Sequence, residues 1–235
     1  MKFGTKTLAA LLCAAFAAPN ASAQGEEGGY VYNGGESYFY GAVYNFLKHF
    51  KYEQYKYADG LMFTLVDNYY VDAMDIAIFS GKGGYSFLNM GPGASVAGVA
   101  LGKATPWGNR DLEFMALNGM PSVPRPDQRW DWYNPWRGPN GVFQGIHQVV
   151  GFNTWAAASA MDDIADGFGA RIANNSCVWQ SWFAAVDDER SWWKGSLYPG
   201  YASTVLYPGR DYDRYYTPGP DPPAGSWAIR IYWQD

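Results

Sequence analysis

Residues 75–81, DIAIFSG, limit the possible folds more than any other stretch of the chain. Four apolar residues in a row, Ile76 to Phe79, leave a strand here with no polar face to turn toward water. Such a strand must be covered on both faces, as in the interior of a parallel sheet. A glycine follows at once, where a strand gives way to a turn. The segment therefore predicts a central strand of an α/β domain.

The flanking segments predict the helices and further strands of such a domain. Residues 36–50 carry apolar side chains at helical spacing and predict an amphipathic helix. Residues 110–120 predict a second buried strand that again ends in a glycine. Residues 141–157 predict a helix that runs into a third buried strand at about 149–157. Residues 175–193 predict a long helix capped by Ser176.

The remaining segments predict irregular or peripheral structure. Residues 61–71 are typical of a strand or extended segment, and residues 83–104 of a loop or hairpin outside the main sheet. The stretch 121–141 is crowded with proline, tryptophan and asparagine and predicts a loop. Residues 226–235 predict a final strand at a sheet edge.

The first 23 residues have the pattern of a secretory signal peptide. Two lysines precede a short apolar run that ends in Ala21-Ser22-Ala23. We therefore expect a secreted protein, extracellular or periplasmic, without a membrane span. Residues 24–235 would form one α/β domain with a Gly-rich segment at 24–35 and a Tyr/Pro-rich extension at 196–235. Cys177 is the only cysteine in that region, so no intrachain disulfide is expected.

Charge and motif spacing exclude several ligand classes. The net charge of −5 disfavours nucleic acid as a partner. The GKGG stretch at 81–84 lacks the spacing and the following Ser/Thr of a phosphate-binding loop. Asp162, Asp163 and Asp166 do not fit the register of an EF-hand calcium loop. We therefore predict no cofactor and no metal site.

Four segments carry a resemblance to a known group of proteins. They are DIAIFSGKGG (75–84), WGNRDLEFMALNGMPSV (107–123), GIHQVVGFNTW (145–155) and ADGFGARIANNSCVWQSWFAAV (165–186). Together they resemble an exported bacterial family of unknown function, in which one strand ends in Gly-His-Gly and another ends in cysteine. That layout is similar to the one in caspase-like and gingipain-like cysteine peptidases. The resemblance implies a three-layer caspase-like sandwich with a mostly parallel central sheet and an aromatic, loop-rich periphery.

Both catalytic positions of that pattern are replaced in this chain. Lys82 stands where the family has histidine, and Met120 stands where it has cysteine. A thiol–imidazole pair needs a thiolate nucleophile and a base that titrates near neutral pH. Methionine has no ionisable proton, and lysine has an ordinary pKa of about 10.4. The resemblance therefore implies a pseudoenzyme with degenerate positions at Lys82 and Met120.

The loop after the second buried strand contains the candidate binding residues. They are Trp130, Trp132, Tyr133, Trp136 and Arg137, with His147 further along the chain. Aromatic rings flanked by polar groups suit stacking against sugar rings or peptide. The alternative is that the rings cover the edge of the core and that His147 makes a structural hydrogen bond.

Three classes of function follow from these patterns. The first is a non-catalytic secreted protein that binds an unknown ligand or protein partner, with carbohydrate as one class. The second is a self-assembling structural or adhesive surface protein, favoured by the Tyr-rich stretch at 206–220. The third is a hydrolase with unanticipated catalytic residues such as Asp111 or Glu113.

Overall fold

Seven strands form the main sheet of the computed structural model. The structure describes residues 25–31, 37–51, 53–57, 66–85, 87–89, 98–102, 105–119, 121–192 and 200–235. The described strands are β1 Glu26–Val31, β2 Glu53–Tyr57, β3 Ile76–Gly81, β4 Gly83–Gly84, β5 Phe87–Asn89, β6 Gly98–Ala100, β7 Phe114–Gly119, β8 Gln148–Phe152, β9 Ala202–Leu206 and β10 Arg230–Trp233. The described α-helices are α1 Ser37–Leu47, α2 Met161–Ala173 and α3 Val178–Trp192. The signal peptide predicted at 1–23 lies outside the described residues.

The main sheet is mostly parallel, as the sequence predicts. Its strand order is β10-β9-β8-β7-β3-β1-β2. The five strands β8, β7, β3, β1 and β2 are parallel to one another. β9 is antiparallel to both β8 and β10. β3 lies in the interior of the sheet with all six residues buried. The apolar run at 76–79 thus forms a central strand, and β10 forms an edge.

One layer of helices packs against the sheet. α2 lies between α1 and α3, α1 contacts β1 and β3, and α3 contacts β8 and β9. Aromatic rings join the three helices: Phe46 and Phe168 stack with ring centroids 5.7 Å apart, and Phe168 meets Trp182 edge-on at 5.2 Å. The predicted helices at 36–50 and 175–193 are confirmed as α1 and α3.

The connections between parallel strands run in two directions along the sheet, since the chain steps from β1 outward to β2 and from β3 through β7 to β8 the other way. The right-handed rule for such connections therefore predicts the β1–β2 connection on one face and the β3–β7 and β7–β8 connections on the other. In the connection from β7 to β8, three apolar side chains are fully buried, those of Trp136, Val142 and Phe143. Residues 121–147 contain no α-helix. A second helical layer is therefore not seen in the described parts of these connections.

Two predicted elements are wrong. Residues 141–147, expected to be helical, are irregular and lead into β8 at Gln148. The backbone of Gly145 has φ +148° and lies so close to Gly108 that a Cβ on Gly145 would be 1.8 Å from the Gly108 carbonyl oxygen. This close approach of two loops excludes a helix there. Of the segment 61–71, expected to be extended, residues 61–65 lie outside the described residues. The rest enters two short 3-10 helices, Asp67–Tyr69 and Val71–Ala73.

The periphery holds a small second sheet. β4, β5 and β6 pair antiparallel, which confirms a hairpin outside the main sheet. Among the described helices, none is long and apolar enough to cross a membrane.

Candidate functional site

The predicted degenerate site lies at the carboxyl-terminal rim of two neighbouring strands. Gly81 at the end of β3 pairs in register with Gly119 at the end of β7. Lys82 follows directly and is half-buried, whereas Met120 lies outside the described residues. A shallow pocket lies at this rim, with about 160 Å³ of non-protein space that includes open solvent. Its lining consists of Phe79, Gly81, Lys82, Gly83, Leu88, Leu117, Gly119 and Ser122.

The thiol and both imidazoles of the described chain lie away from this pocket. Cys177 is buried before α3, where its Sγ donates a hydrogen bond to the Asp211 carbonyl at 3.2 Å. Burial raises the pKa of the Cys177 thiol above its ordinary value. His49 contacts Asp166 of α2 at 2.5 Å. None of these groups lines the pocket, so the pocket has no cysteine–histidine pair among the described residues.

The predicted loop at 121–141 has buried aromatic residues and exposed ones. Trp136 is fully buried and belongs to the core, which corrects its prediction as a binding residue. Trp132 is partly buried and packs against the same core. Trp130 is 82% exposed. Tyr133 and Arg137 are half-buried at the surface.

Arg137 is held between two aromatic rings. Its guanidinium carbon lies 3.7 Å from the Tyr133 ring centroid and 5.7 Å from that of Trp227. Trp227 is 67% exposed and comes from the segment before β10, so sequence order did not connect it with the loop. We call Tyr133, Arg137 and Trp227, together with the exposed Trp130 three residues before Tyr133 in the same loop, the aromatic surface. Stacking fixes the plane of the guanidinium and leaves its N–H edge available for an anion.

Two of the four tyrosines in the stretch at 206–220 serve the fold. Tyr215 is 5% exposed, and its hydroxyl donates a 2.6 Å hydrogen bond to Glu27 of β1. Tyr207 packs against the core. Tyr212 and Tyr216 are exposed. The stretch therefore offers two exposed rings rather than a continuous tyrosine surface.

A second cluster lies at the opposite, amino-terminal rim of the sheet. Asp75 directly precedes β3 and Glu113 directly precedes β7, while Asp111 comes two residues before Glu113. One carboxylate oxygen from each of the three residues lies within 4.8 Å of the others. Backbone hydrogen bonds fix this rim: Glu113 N–H donates to the Asp75 carbonyl at 3.1 Å, and Asp111 N–H to the Asp72 carbonyl at 3.0 Å.

We call Asp75, Asp111 and Glu113 the acidic rim. A polar cavity lies at this rim. Its lining consists of Gly108, Arg110, Asp111, Leu112, Glu113, Gly145 and Asp221. Burial raises the pKa of Glu113 to about 9, and the Asp75 and Asp111 carboxylates add to that rise. Burial likewise raises the pKa of Asp75 to about 6. Burial thus favours the protonated, uncharged form of Glu113 at neutral pH, and the surroundings disfavour a negative charge on all three carboxyl groups at once.

His147 lies beside this cavity and is fully buried, not exposed at a binding surface. Its Nδ1 forms a 2.6 Å hydrogen bond with Asp213 Oδ2, which confirms a structural contact for this ring. Its Nε2 faces Asp221 Oδ1 at 3.6 Å, beyond hydrogen-bond distance. The sequence pattern placed Asp111 and Glu113 together as possible catalytic residues and gave no link from that pair to His147. Acidic residues placed just before two neighbouring parallel strands were the signal that would have joined them to Asp75.

Comparison with known proteins places this architecture in a family. The model of a domain of unknown function, DUF6345, matches residues 48–233. The chain belongs to the DUF6345 family. The DUF6345 region includes the pocket at Lys82, the aromatic surface and the acidic rim, whereas β1 and α1 precede it. No curated protein matches the chain.

Proposed function

We propose that this protein is a non-catalytic secreted binding protein, a pseudoenzyme derived from the three-layer caspase-like cysteine-hydrolase scaffold. Residues 1–23 would direct export and then be removed. The ligand or partner would bind at the aromatic surface, and carbohydrate that carries a carboxylate or sulfate is the class that best suits its chemistry.

Loss of catalysis is supported by the distribution of reactive groups. Lys82 occupies the rim where the resemblance implies a histidine, and the pocket there is lined mainly by glycine and apolar side chains. Cys177 has its thiol directed to a backbone carbonyl in a separate part of the fold. A nucleophile and its base must lie within hydrogen-bond reach of each other. The described cysteine and histidines do not meet that condition at the pocket.

The observation that carries the binding proposal is the environment of Arg137. The guanidinium stacks on Tyr133, yet within the described residues it makes neither an ion pair nor a hydrogen bond. Arg190 offers a direct contrast: it lies 4.0 Å from the Tyr201 ring centroid, and its Nη1 is paired with Asp187 at 3.3 Å. A planar, oriented guanidinium with open donors suits bidentate binding of a carboxylate or sulfate.

The neighbouring rings supply the rest of the recognition surface. Trp130 and Trp227 are both largely exposed. Exposed aromatic faces stack on the apolar faces of sugar rings while polar groups fix orientation. An acidic saccharide would thus meet rings and cation together.

Binding can be tested with a panel of neutral and uronic-acid polysaccharides, read by tryptophan fluorescence and by calorimetry. We expect saturable binding of an acidic member. The change Arg137→Ala should weaken it about tenfold or more, because charge-assisted hydrogen bonds contribute about 1.5–3 kcal/mol. The matched variant Arg190→Ala removes a stacked but paired arginine and should bind as the unchanged protein does. Equal affinity of the Arg137→Ala and unchanged proteins would contradict the proposal.

The absence of cysteine-peptidase activity needs a separate experiment. Purified protein would be incubated with a peptide library before and after thiol alkylation. We expect no turnover in either case, since loss of both members of a catalytic pair removes several powers of ten in rate. Turnover that is lost on alkylation and in Cys177→Ser would contradict the pseudoenzyme proposal.

One observation favours a second function, hydrolysis by carboxyl groups. Asp111 and Glu113 converge with Asp75, and Glu113 has its pKa raised toward the range of a general acid. A hydrolase screen with esters, glycosides and phosphates tests this alternative. Activity that disappears in Asp111→Asn would favour it over a pure binding role.

A further inference from the structure

The acidic rim has the spacing of a cation site. Ca²⁺ binds oxygen ligands at about 2.3–2.6 Å, so two ligands on opposite sides of the ion are about 5 Å apart. The oxygens of Asp75, Asp111 and Glu113 lie within 4.8 Å of one another, which places them inside that limit. Asp221 lines the same cavity and adds a fourth carboxylate at its edge.

Buried polar atoms beside the cavity form a second, independent observation. His147 is fully buried, and its Nε2 has no hydrogen-bond partner in the described part of the chain. That nitrogen points toward Asp221, because Asp213 holds the other ring nitrogen at 2.6 Å. Glu113 Oε2 is also buried and without a partner among the described residues. A buried polar atom without a protein partner requires an explanation, and a bound ion or water molecule is one that fits a cavity lined by carboxylates.

The charge of the rim is not balanced by its own surroundings. Arg110 is the one basic residue in the described lining. Its guanidinium donates to the Asn68 carbonyl and lies 5.8 Å from the Tyr69 ring centroid, at the exposed side of the rim. Several like charges held close together are costly unless a cation or protons compensate them.

The carboxylates keep open coordination positions. Asp75 Oδ2 accepts a 2.7 Å hydrogen bond from the Glu26 N–H, which orients the group. Glu113 is fixed through its backbone, which donates to the Asp75 carbonyl and accepts from the His147 N–H at 2.9 Å. The three carboxylates come from the ends of paired strands and are held in place before any ion binds.

We propose that Asp75, Asp111 and Glu113 form a binding site for a hard divalent cation, with Ca²⁺ preferred, and that Asp221 adds a carboxylate at its edge, where His147 Nε2 faces it. A site whose protein ligands are all carboxylates favours Ca²⁺ over Zn²⁺, which prefers nitrogen and sulfur ligands. Ca²⁺ tolerates irregular geometry better than Mg²⁺ does. This site departs from the sequence expectation of no metal, and it lies at the opposite rim from Lys82.

Calorimetry with CaCl₂ and terbium luminescence on the full chain, after treatment with chelating resin, test the proposal. We expect one site per chain with a dissociation constant of about 1 mM or tighter, the range of extracellular calcium modules. The variants Asp111→Asn and Glu113→Gln should each weaken binding about tenfold or more. Asp163→Asn is the matched control, because it neutralises an exposed residue of a different acidic group on α2 and should leave the affinity unchanged.

A thermal-unfolding measurement keeps the test decisive if a variant fails to fold. Ca²⁺ at 100 times its dissociation constant should raise the Tm of the unchanged protein by about 5–10 °C. The proposal is overturned if neither calorimetry nor the Tm responds to Ca²⁺, or if Asp111→Asn binds as well as the unchanged protein. Binding of Zn²⁺ or Mg²⁺ in preference to Ca²⁺ would overturn the assignment as well.

Discussion

Glu27 shows how burial changes the chemistry of a single carboxyl group in this fold. The side chain lies in β1 and is fully buried. One oxygen accepts the 2.6 Å hydrogen bond from Tyr215, and the other has no partner within the described residues. Burial raises the pKa of Glu27 to about 7; the Tyr215 hydrogen bond opposes this rise and the charge of Asp75 adds to it. The folded protein therefore holds a proton on Glu27 that an unfolded chain loses at lower pH.

The pKa of Glu27 predicts a pH-dependent loss of stability. Its folded pKa of about 7 lies above its ordinary value of 4.5, so its unfavourable contribution grows as the pH rises from 4.5 to 7 and stays constant above that. Glu27→Gln keeps an acceptor for Tyr215 and removes the titration. We expect the variant to gain stability over the unchanged protein between pH 5 and pH 8, on the order of 2 kcal/mol. Urea denaturation at both pH values measures it.

The control for this experiment is Asp127→Asn, which neutralises a carboxylate with a side chain that is 67% exposed. Its effect on stability should be small at both pH values. If Glu27→Gln and the unchanged protein differ by the same amount at pH 5 and pH 8, Glu27 does not titrate as its burial implies.

At the scale of elements, close backbone contact between two strand ends explains the glycine at the end of β7. A Cβ on Gly119 would lie 2.1 Å from the Gly81 carbonyl oxygen, so no other residue fits there without moving β3. Gly84, three residues beyond Gly81, has nothing within 4 Å of its Cβ position. The rim beside Lys82 thus requires glycine at position 119 and tolerates a side chain at position 84.

Two alanine variants test this difference. Gly119→Ala should lower the free energy of unfolding by about 1–3 kcal/mol, the range for overpacking, and lower the Tm by several degrees. Gly84→Ala should change the Tm by about 1 °C or less, because the new methyl group enters open space. Differential scanning calorimetry compares the two. Equal melting temperatures for both variants would show that β3 shifts freely to accept a side chain.

Elements with a clear hydrophobic period were predictable from the sequence, and those with glycines at contacts were not. β3 and α1 follow from an apolar run and from helical spacing. α2 was missed because Gly169 is unusual within a helix; its backbone lies so close to α1 that a Cβ would be 2.7 Å from the Phe46 carbonyl oxygen. β1 was missed because Gly28 and Gly29 are typical of loops, although Gly28 lets the Met74 side chain pack against the strand.

The candidate site residues also differ in how far the sequence could predict their positions. Lys82 could be placed at a strand end because position along a strand is a local property. Trp136 was named as a candidate binding residue with a place in the core as the alternative, because sequence does not tell a buried ring from an exposed one. The convergence of Asp75 with Glu113 depends on β3 and β7 being neighbours, which is a property of the sheet and not of either segment.

At the scale of the whole molecule, the C-terminal residues are part of the sheet and not an appended extension. β9 and β10 continue the sheet beyond β8. Tyr232 of β10 stacks on Trp179 of α3 with ring centroids 4.9 Å apart, and its hydroxyl donates a 2.6 Å hydrogen bond to Asp211. These contacts join the edge strand to the helical layer, so we expect the domain to unfold as one cooperative unit.

A chain that ends at Ala228 tests this integration, because it lacks β10 and keeps Trp227. The variant loses the backbone pairing of β10 with β9 and the Tyr232 contacts, and β9 becomes an unprotected edge that promotes association. We expect the free energy of unfolding to fall by at least about 3 kcal/mol, given about 1 kcal/mol for each lost hydrogen bond. Urea unfolding followed by tryptophan fluorescence and by far-UV circular dichroism should show one shared transition for the full chain.

A chain that lacks only Asp235, which pairs with Arg125 at the surface, is the control and should unfold within about 0.5 kcal/mol of the full chain. Equal midpoints for all three proteins would contradict a structural role for β10.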